Sequence, residues 1–223
     1  MDKIAPYLRD NGLTLALMAI FGLCLFGMLG SGWLEENATL ATHGEPAIGL
    51  VEYFFSASFQ TALFENWESE FLQMLAYVIM TAMLFQRGSA ESKDPDKENP
   101  EVEDPGHKRR NKHTPWPAKA GGLWSALYSY SLGIALLALF VGSFVRHWLQ
   151  SAAASNADAL RHGEPTATLL ENLGSAQFWF ESFQNWQSEF LSTAVLVVFS
   201  IVLRYRGSPE SKPVADPHSK TGH

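Results

Sequence analysis

Two short motifs, each present twice, hold most of the side chains in this sequence that can do chemistry. His43-Gly44-Glu45-Pro46 recurs as His162-Gly163-Glu164-Pro165, and Asn66-Trp67-Glu68-Ser69-Glu70-Phe71 recurs as Asn185-Trp186-Gln187-Ser188-Glu189-Phe190. Two imidazoles and two carboxylates, from His43, Glu45, His162 and Glu164, are a ligand set for a divalent ion such as zinc. His-x-Glu is also a frequent chance pairing, and Gly-Glu-Pro is a turn that starts a following helix with proline near its first position. The turn is the expectation here, and no metal is assigned. Glu70 and Glu189 also carry two readings. As facing carboxylates they would line the mouth of a pathway, because an ionised group at the membrane edge is costly unless it is used. As structural groups they would suit the positive end of a helix dipole, with Asn66 or Ser69 (Asn185 or Ser188) capping the helix and Trp67 and Trp186 anchored at headgroup level. The structural reading is the expectation.

Beyond these motifs the chain offers little to a catalyst. It has no Ser-His-Asp set, no glycine-rich phosphate loop and no Cys-x-x-Cys, and its one cysteine, Cys24, lies in an apolar run. His147 has no histidine at the corresponding place in the other half, where Met28 stands, so a bis-histidine haem has no ligand pair. No cofactor is expected, and the protein is expected not to be an enzyme. A net charge of -7 argues against nucleic acid as a partner.

The elements that must position these residues are apolar runs separated by polar stretches. Four runs read as transmembrane helices, at 12–33, 69–86, 123–147 and 188–205. A helix crosses a hydrocarbon core of about 30 Å in roughly 20 residues. The first and third runs meet that length, whereas the second and fourth need their polar flanks to reach the interface. No Lys or Arg lies between Trp33 and Gln86, while the segment from Arg87 to Lys119 holds eight and the stretch after the fourth run is basic. By the positive-inside rule the linker and both termini are cytoplasmic. The segments 46–67 and 165–186 are then outside. Aromatic on one face and acidic on the other, they read as amphipathic helices lying along the outer interface.

A shift of 119 residues superposes the halves without a gap, and roughly half of the positions from His43 to Lys93 are identical to those from His162 to Lys212. The chain therefore reads as an all-α membrane protein of two tandem two-helix repeats, 1–93 and 121–212, each with an outer amphipathic helix. The repeats are joined by a linker, 94–120, and followed by a tail, 213–223, both expected to be disordered from their polar, proline-containing composition. Equivalent residues would face each other across a pseudo-two-fold axis along the membrane normal.

The duplicated unit, together with Phe-Glu-Asn-Trp-Glu-Ser-Glu-Phe-Leu-Gln, Phe-Gln-Asn-Trp-Gln-Ser-Glu-Phe-Leu and the twice-repeated Arg-Gly-Ser-x-Glu-Ser-Lys, resembles a family of bacterial membrane proteins known only as a domain of unknown function. The resemblance implies a bacterial inner-membrane location and no activity. From the residues, the first expectation is a non-enzymatic scaffold whose partners are the lipid bilayer and a second copy of the chain or another membrane protein. The alternatives are a small oligomeric cation channel or transporter with an acidic outer mouth, and an outer-face metal-binding protein or enzyme.

Overall fold

The computed structural model describes residues 4–97, 99 and 113–222. Among these residues there are eight helices and no strand: α1 (Ile4–Thr42), α2 (Leu50–Phe54), α3 (Ala57–Met83), α4 (Trp116–Ala120), α5 (Gly122–Ser129), α6 (Ser131–Arg161), α7 (Leu169–Leu173) and α8 (Ala176–Val202). Three are long and apolar enough to cross a membrane, within Tyr7–Thr42, Ser131–Arg161 and Ala176–Val202. The second expected span, 69–86, does not reach that standard, so three helices qualify where four were expected. Its helix α3 stops at Met83 and carries Glu65, Glu68 and Glu70. The uncharged part, 71–83, rises only about 20 Å at about 1.5 Å per residue. The expected third span, 123–147, is divided between α5 and α6 at Tyr130, although the bonds from Tyr130 N to Ala126 O (3.3 Å) and from Ile134 N to Tyr130 O (3.0 Å) carry the ladder across the break.

Two of the long helices correspond in length and register. α3 and α8 each have 27 residues and occupy the same register, 119 residues apart. Both start at a serine: Phe59 N donates to Ser56 Oγ and Phe178 N to Ser175 Oγ, each at 3.2 Å. These are the helix caps. The expected caps, Asn66 or Ser69 and Asn185 or Ser188, lie well inside the helices, where Ser69 and Ser188 donate back to the carbonyls of Asn66 and Asn185 at 2.8 Å. The outer segments are likewise not free-standing amphipathic helices. In 46–67 and 165–186 the chain is extended, makes a five-residue helix (α2 or α7), turns, and enters the first turns of α3 or α8.

His-Gly-Glu-Pro is a turn, but it ends the preceding helix instead of starting the next. Gly44 and Gly163 take φ of 71° and 70°. Glu45 N reaches Leu40 O (2.9 Å) and Gly44 N reaches Ala41 O (3.2 Å), and the same pair recurs from Glu164 and Gly163 to Ala159 and Leu160. This is the double hydrogen bond that closes a helix C-terminus around a left-handed residue, with proline following.

The expected disordered tail instead makes specific bonds. Gly222 N donates to Ser89 O (2.9 Å), Gly88 N to Thr221 Oγ1 (2.9 Å), and the buried Lys212 ammonium to the carbonyls of Gly88, Pro217, His218 and Lys220. A lysine that gathers backbone carbonyls orders a segment whose composition alone would not. In the expected disordered linker, 94–97 form a turn tied by Lys97–Asp94 (2.7 Å) and 116–120 form α4. The rest of the linker, with basic residues 107–112, lies outside the described residues.

The chain divides into two compact units, Met1–Leu63 with Gln150–Thr166, and Phe64–Leu149 with Ala167–His223. Each holds one of the two duplicated motifs.

Candidate functional site

In the second unit, side chains of α3 and α8 meet at a series of polar contacts. Asn185 Nδ2 donates to Glu65 Oε1, and Trp186 Nε1 donates to Glu68 Oε1 at 3.0 Å. Glu70 and Glu189 are close neighbours, and Gln73 donates to Thr193 Oγ1. Farther along, Tyr77 Oη donates to Glu91 Oε2 (2.9 Å), and Ser200 Oγ lies 2.9 Å from Ser89 Oγ. Residues 70, 73 and 77 share one face of α3, and 185, 189, 193 and 200 share one face of α8, because residues three or four apart stack on a helix. An open pocket of about 290 Å³ lies at the far end, with Ser200, Arg204 and Glu210 in its lining.

The first part of this seam is enclosed by α6. His147 and Glu68 are both fully buried, with Nδ1 2.9 Å from Glu68 Oε2. The other ring nitrogen, Nε2, has no hydrogen-bond partner and stands 3.7 Å from Glu181 Oε2. Phe178, also fully buried, lies over the imidazole with centroids 4.9 Å apart. Trp186 can only donate, so Glu68 accepts on Oε1 and is positioned to accept from His147 on Oε2. Two carboxylates, Glu68 and Glu181, thus stand at the two ring nitrogens of one histidine. An imidazole between two carboxylates can take a proton at one nitrogen and release it at the other, because its two nitrogens titrate as one group.

Glu70, Glu189, Asn185 and Trp186, singled out from the sequence, all belong to this seam. Asn66 contributes its carbonyl to Ser69, and Trp67 packs edge-on against Phe64 at 5.4 Å. The residues that the sequence reading did not select are Glu65, Glu68, His147 and Glu181. A signal for them existed. At the 119-residue shift Glu65 falls on Gln184, Glu68 on Gln187, Met28 on His147 and Ala62 on Glu181. The search for repeats weighs identities, whereas this site is built where the halves differ.

The four residues of the other duplicated motif lie in the first unit. His43 and His162 meet edge-on, with centroids 5.9 Å apart and ring planes at 88°. Glu45 is drawn to Arg161 (3.0 Å), which also contacts Glu36 at 3.5 Å. Glu164 is exposed. Among the described residues no three His, Cys, Asp or Glu side chains converge as a metal-binding group.

Among the described residues the protein is all-helical, with three helices long and apolar enough to cross a membrane and a buried histidine–carboxylate pair. The chain belongs to a family described as a domain of unknown function (DUF6766), whose model matches residues 4–223. No curated protein and no solved structure matches it.

Proposed function

We propose that this is a four-span protein of the bacterial inner membrane that moves protons along the seam between α3 and α8, entering at the Glu65–Glu68–His147–Glu181 cluster. The observation that carries this reading is the fully buried Glu68–His147 pair at the head of a run of polar contacts. An ionisable cluster among apolar helices is expensive, faces the interior of the bundle, and marks proton relays in membrane proteins. The pocket at Ser200 and Arg204 supports an exit at that end of the seam.

The same contacts support counting α3 as the fourth span. Its acids lower its hydropathy, but Glu65 and Glu68 have partners on α6 and α8. Partners of that kind offset the cost of placing carboxylates at membrane depth. The bias of Lys and Arg then keeps both termini and the linker cytoplasmic.

The test is proton flux in proteoliposomes carrying an internal pH dye under a potassium diffusion potential. The protein should raise the rate at least tenfold over protein-free vesicles, and Glu68→Gln or His147→Met should return it to background. A wild-type rate equal to that of empty vesicles would overturn the proposal.

A further inference from the structure

We propose that His43 and His162 together form an outward-facing binding site for a late first-row divalent metal ion, Cu²⁺ or Zn²⁺. The inference rests on the first unit alone and is independent of the proton route. Both imidazoles stand at the ends of long helices, α1 and α6, immediately before the left-handed glycines of matching C-terminal turns. Each turn is closed by two backbone hydrogen bonds, so the backbone under each ring is rigid.

The tautomer of each ring follows from its partner. His43 Nδ1 lies 2.9 Å from Thr39 O, and His162 Nδ1 lies 2.9 Å from Asp158 O. A carbonyl only accepts, so in both rings Nδ1 carries the proton and donates it. In the neutral ring the lone pair is then on Nε2, where it can bind a metal. An imidazole that donates its other N–H to a backbone carbonyl is the usual oriented metal ligand.

The spacing suits a shared ion. With metal–nitrogen bonds of about 2.0–2.1 Å, two imidazoles on one centre place their centroids roughly 5–6 Å apart. The observed separation is 5.9 Å. Both residues are exposed, so an ion reaches them from solution. Glu45, the carboxylate expected from the sequence to complete the set, is instead paired with Arg161. The protein therefore supplies two nitrogen ligands and leaves the remaining positions to water, which calls for modest affinity and for the metals that favour imidazole most, Cu²⁺ above Zn²⁺.

The test uses the full chain, with any affinity tag removed, in lipid nanodiscs. Cu²⁺ is titrated by calorimetry and followed by electron paramagnetic resonance. One ion per chain is expected, in the micromolar range, with hyperfine structure from two imidazole nitrogens. His43→Gln and His162→Gln are exposed changes and should leave the circular dichroism unaltered. Each should weaken binding about tenfold or more and remove one nitrogen from the spectrum, as expected when one ligand of a shared site is lost. Binding that is unchanged in the double variant would locate the ion elsewhere, for instance on the linker and tail histidines, and would overturn the proposal. Absence of saturable binding to the wild type would do the same.

Discussion

The Arg-Gly-Ser-x-Glu-Ser-Lys turns and the buried carboxylate cluster come from the same duplicated unit, and the two copies treat them in opposite ways. In the turns six of the seven residues are identical, and two bonds that close the turn recur in both copies. Gln86 N to Ser92 Oγ (2.8 Å) matches Tyr205 N to Ser211 Oγ (2.9 Å), and Glu91 N to Ser89 Oγ matches Glu210 N to Ser208 Oγ, both at 3.1 Å. Gly88 and Gly207 take φ of 85° and 90°, which favours glycine in each copy. In the cluster every charged position differs between copies. The contrast has a physical cause. A turn satisfies its own backbone, so each copy needs the same residues. The fully buried Glu68 is satisfied by groups unlike itself, the imidazole of His147 and the indole N–H of Trp186, so at these positions the two copies cannot carry the same residues.

Replacing each cluster residue with its counterpart from the other repeat tests that contrast most severely. Glu68→Gln alone, or His147→Met alone, strands a buried ionisable partner and should cost about 3–5 kcal/mol. The double variant should recover much of that loss while remaining without proton flux. Denaturant titration of all four proteins in micelles measures it, and single effects that simply add would mean that the pair is not coupled.

The motif lysines sharpen the comparison at the next level. Lys212 is buried under four carbonyls, whereas Lys93 caps the end of α3 through Ala82 O beside the Phe85 ring. Hydrogen bonds from a charged donor contribute about 1.5–3 kcal/mol. Lys212→Met should therefore cost about 2 kcal/mol and speed proteolysis of the segment after residue 212, and Lys93→Met should do neither to that extent. Equal sensitivity of the two variants would show that identical turns do not imply different tertiary roles.

A smaller effect separates the true helix caps from the expected ones. Ser175→Ala should lower stability by about 1 kcal/mol, while Ser188→Ala, an exposed position within α8, should change it by less than about 0.5 kcal/mol. Thermal unfolding of both variants decides between them.

The smallest effect is a pH dependence. Tyr53 is buried on α2, and burial, followed by the nearby Glu36 carboxylate, pushes its phenol above the usual value of 10. The folded protein holds the neutral phenol more firmly than the unfolded chain does. This contribution is therefore complete below pH 10 and is lost as pH rises through the raised folded value. Tyrosinate absorbance in Tyr53→Phe compared with wild type should show one late-titrating group missing. Stability of the wild type alone should fall further in that alkaline window.

The sequence by itself determined the all-helical class and the first and third apolar helices, and it showed the 119-residue self-similarity; it did not separate the fourth run, which qualifies as a span by length and apolarity, from the second, which does not. The class, the two helices and the self-similarity depend on local periodicity and on identity between segments, which are readable along a single chain. It also identified Glu70 and Glu189, and His43 and His162, as equivalent residues that would face each other, and each pair does meet. It did not assign the helix caps, because Ser56 and Ser175, 13 residues before Ser69 and Ser188, offer the same hydroxyl and only the helix start chooses between them. The order in the tail escaped it as well, because Lys212 finds its carbonyls more than 120 residues away in Gly88 and nearby in 217–220. The buried histidine site was decided by tertiary structure alone. Glu68 and His147 are 79 residues apart, in different repeats and on different helices. Neither is unusual until folding removes water from both, which turns two ordinary ionisable side chains into a pair that must be satisfied together.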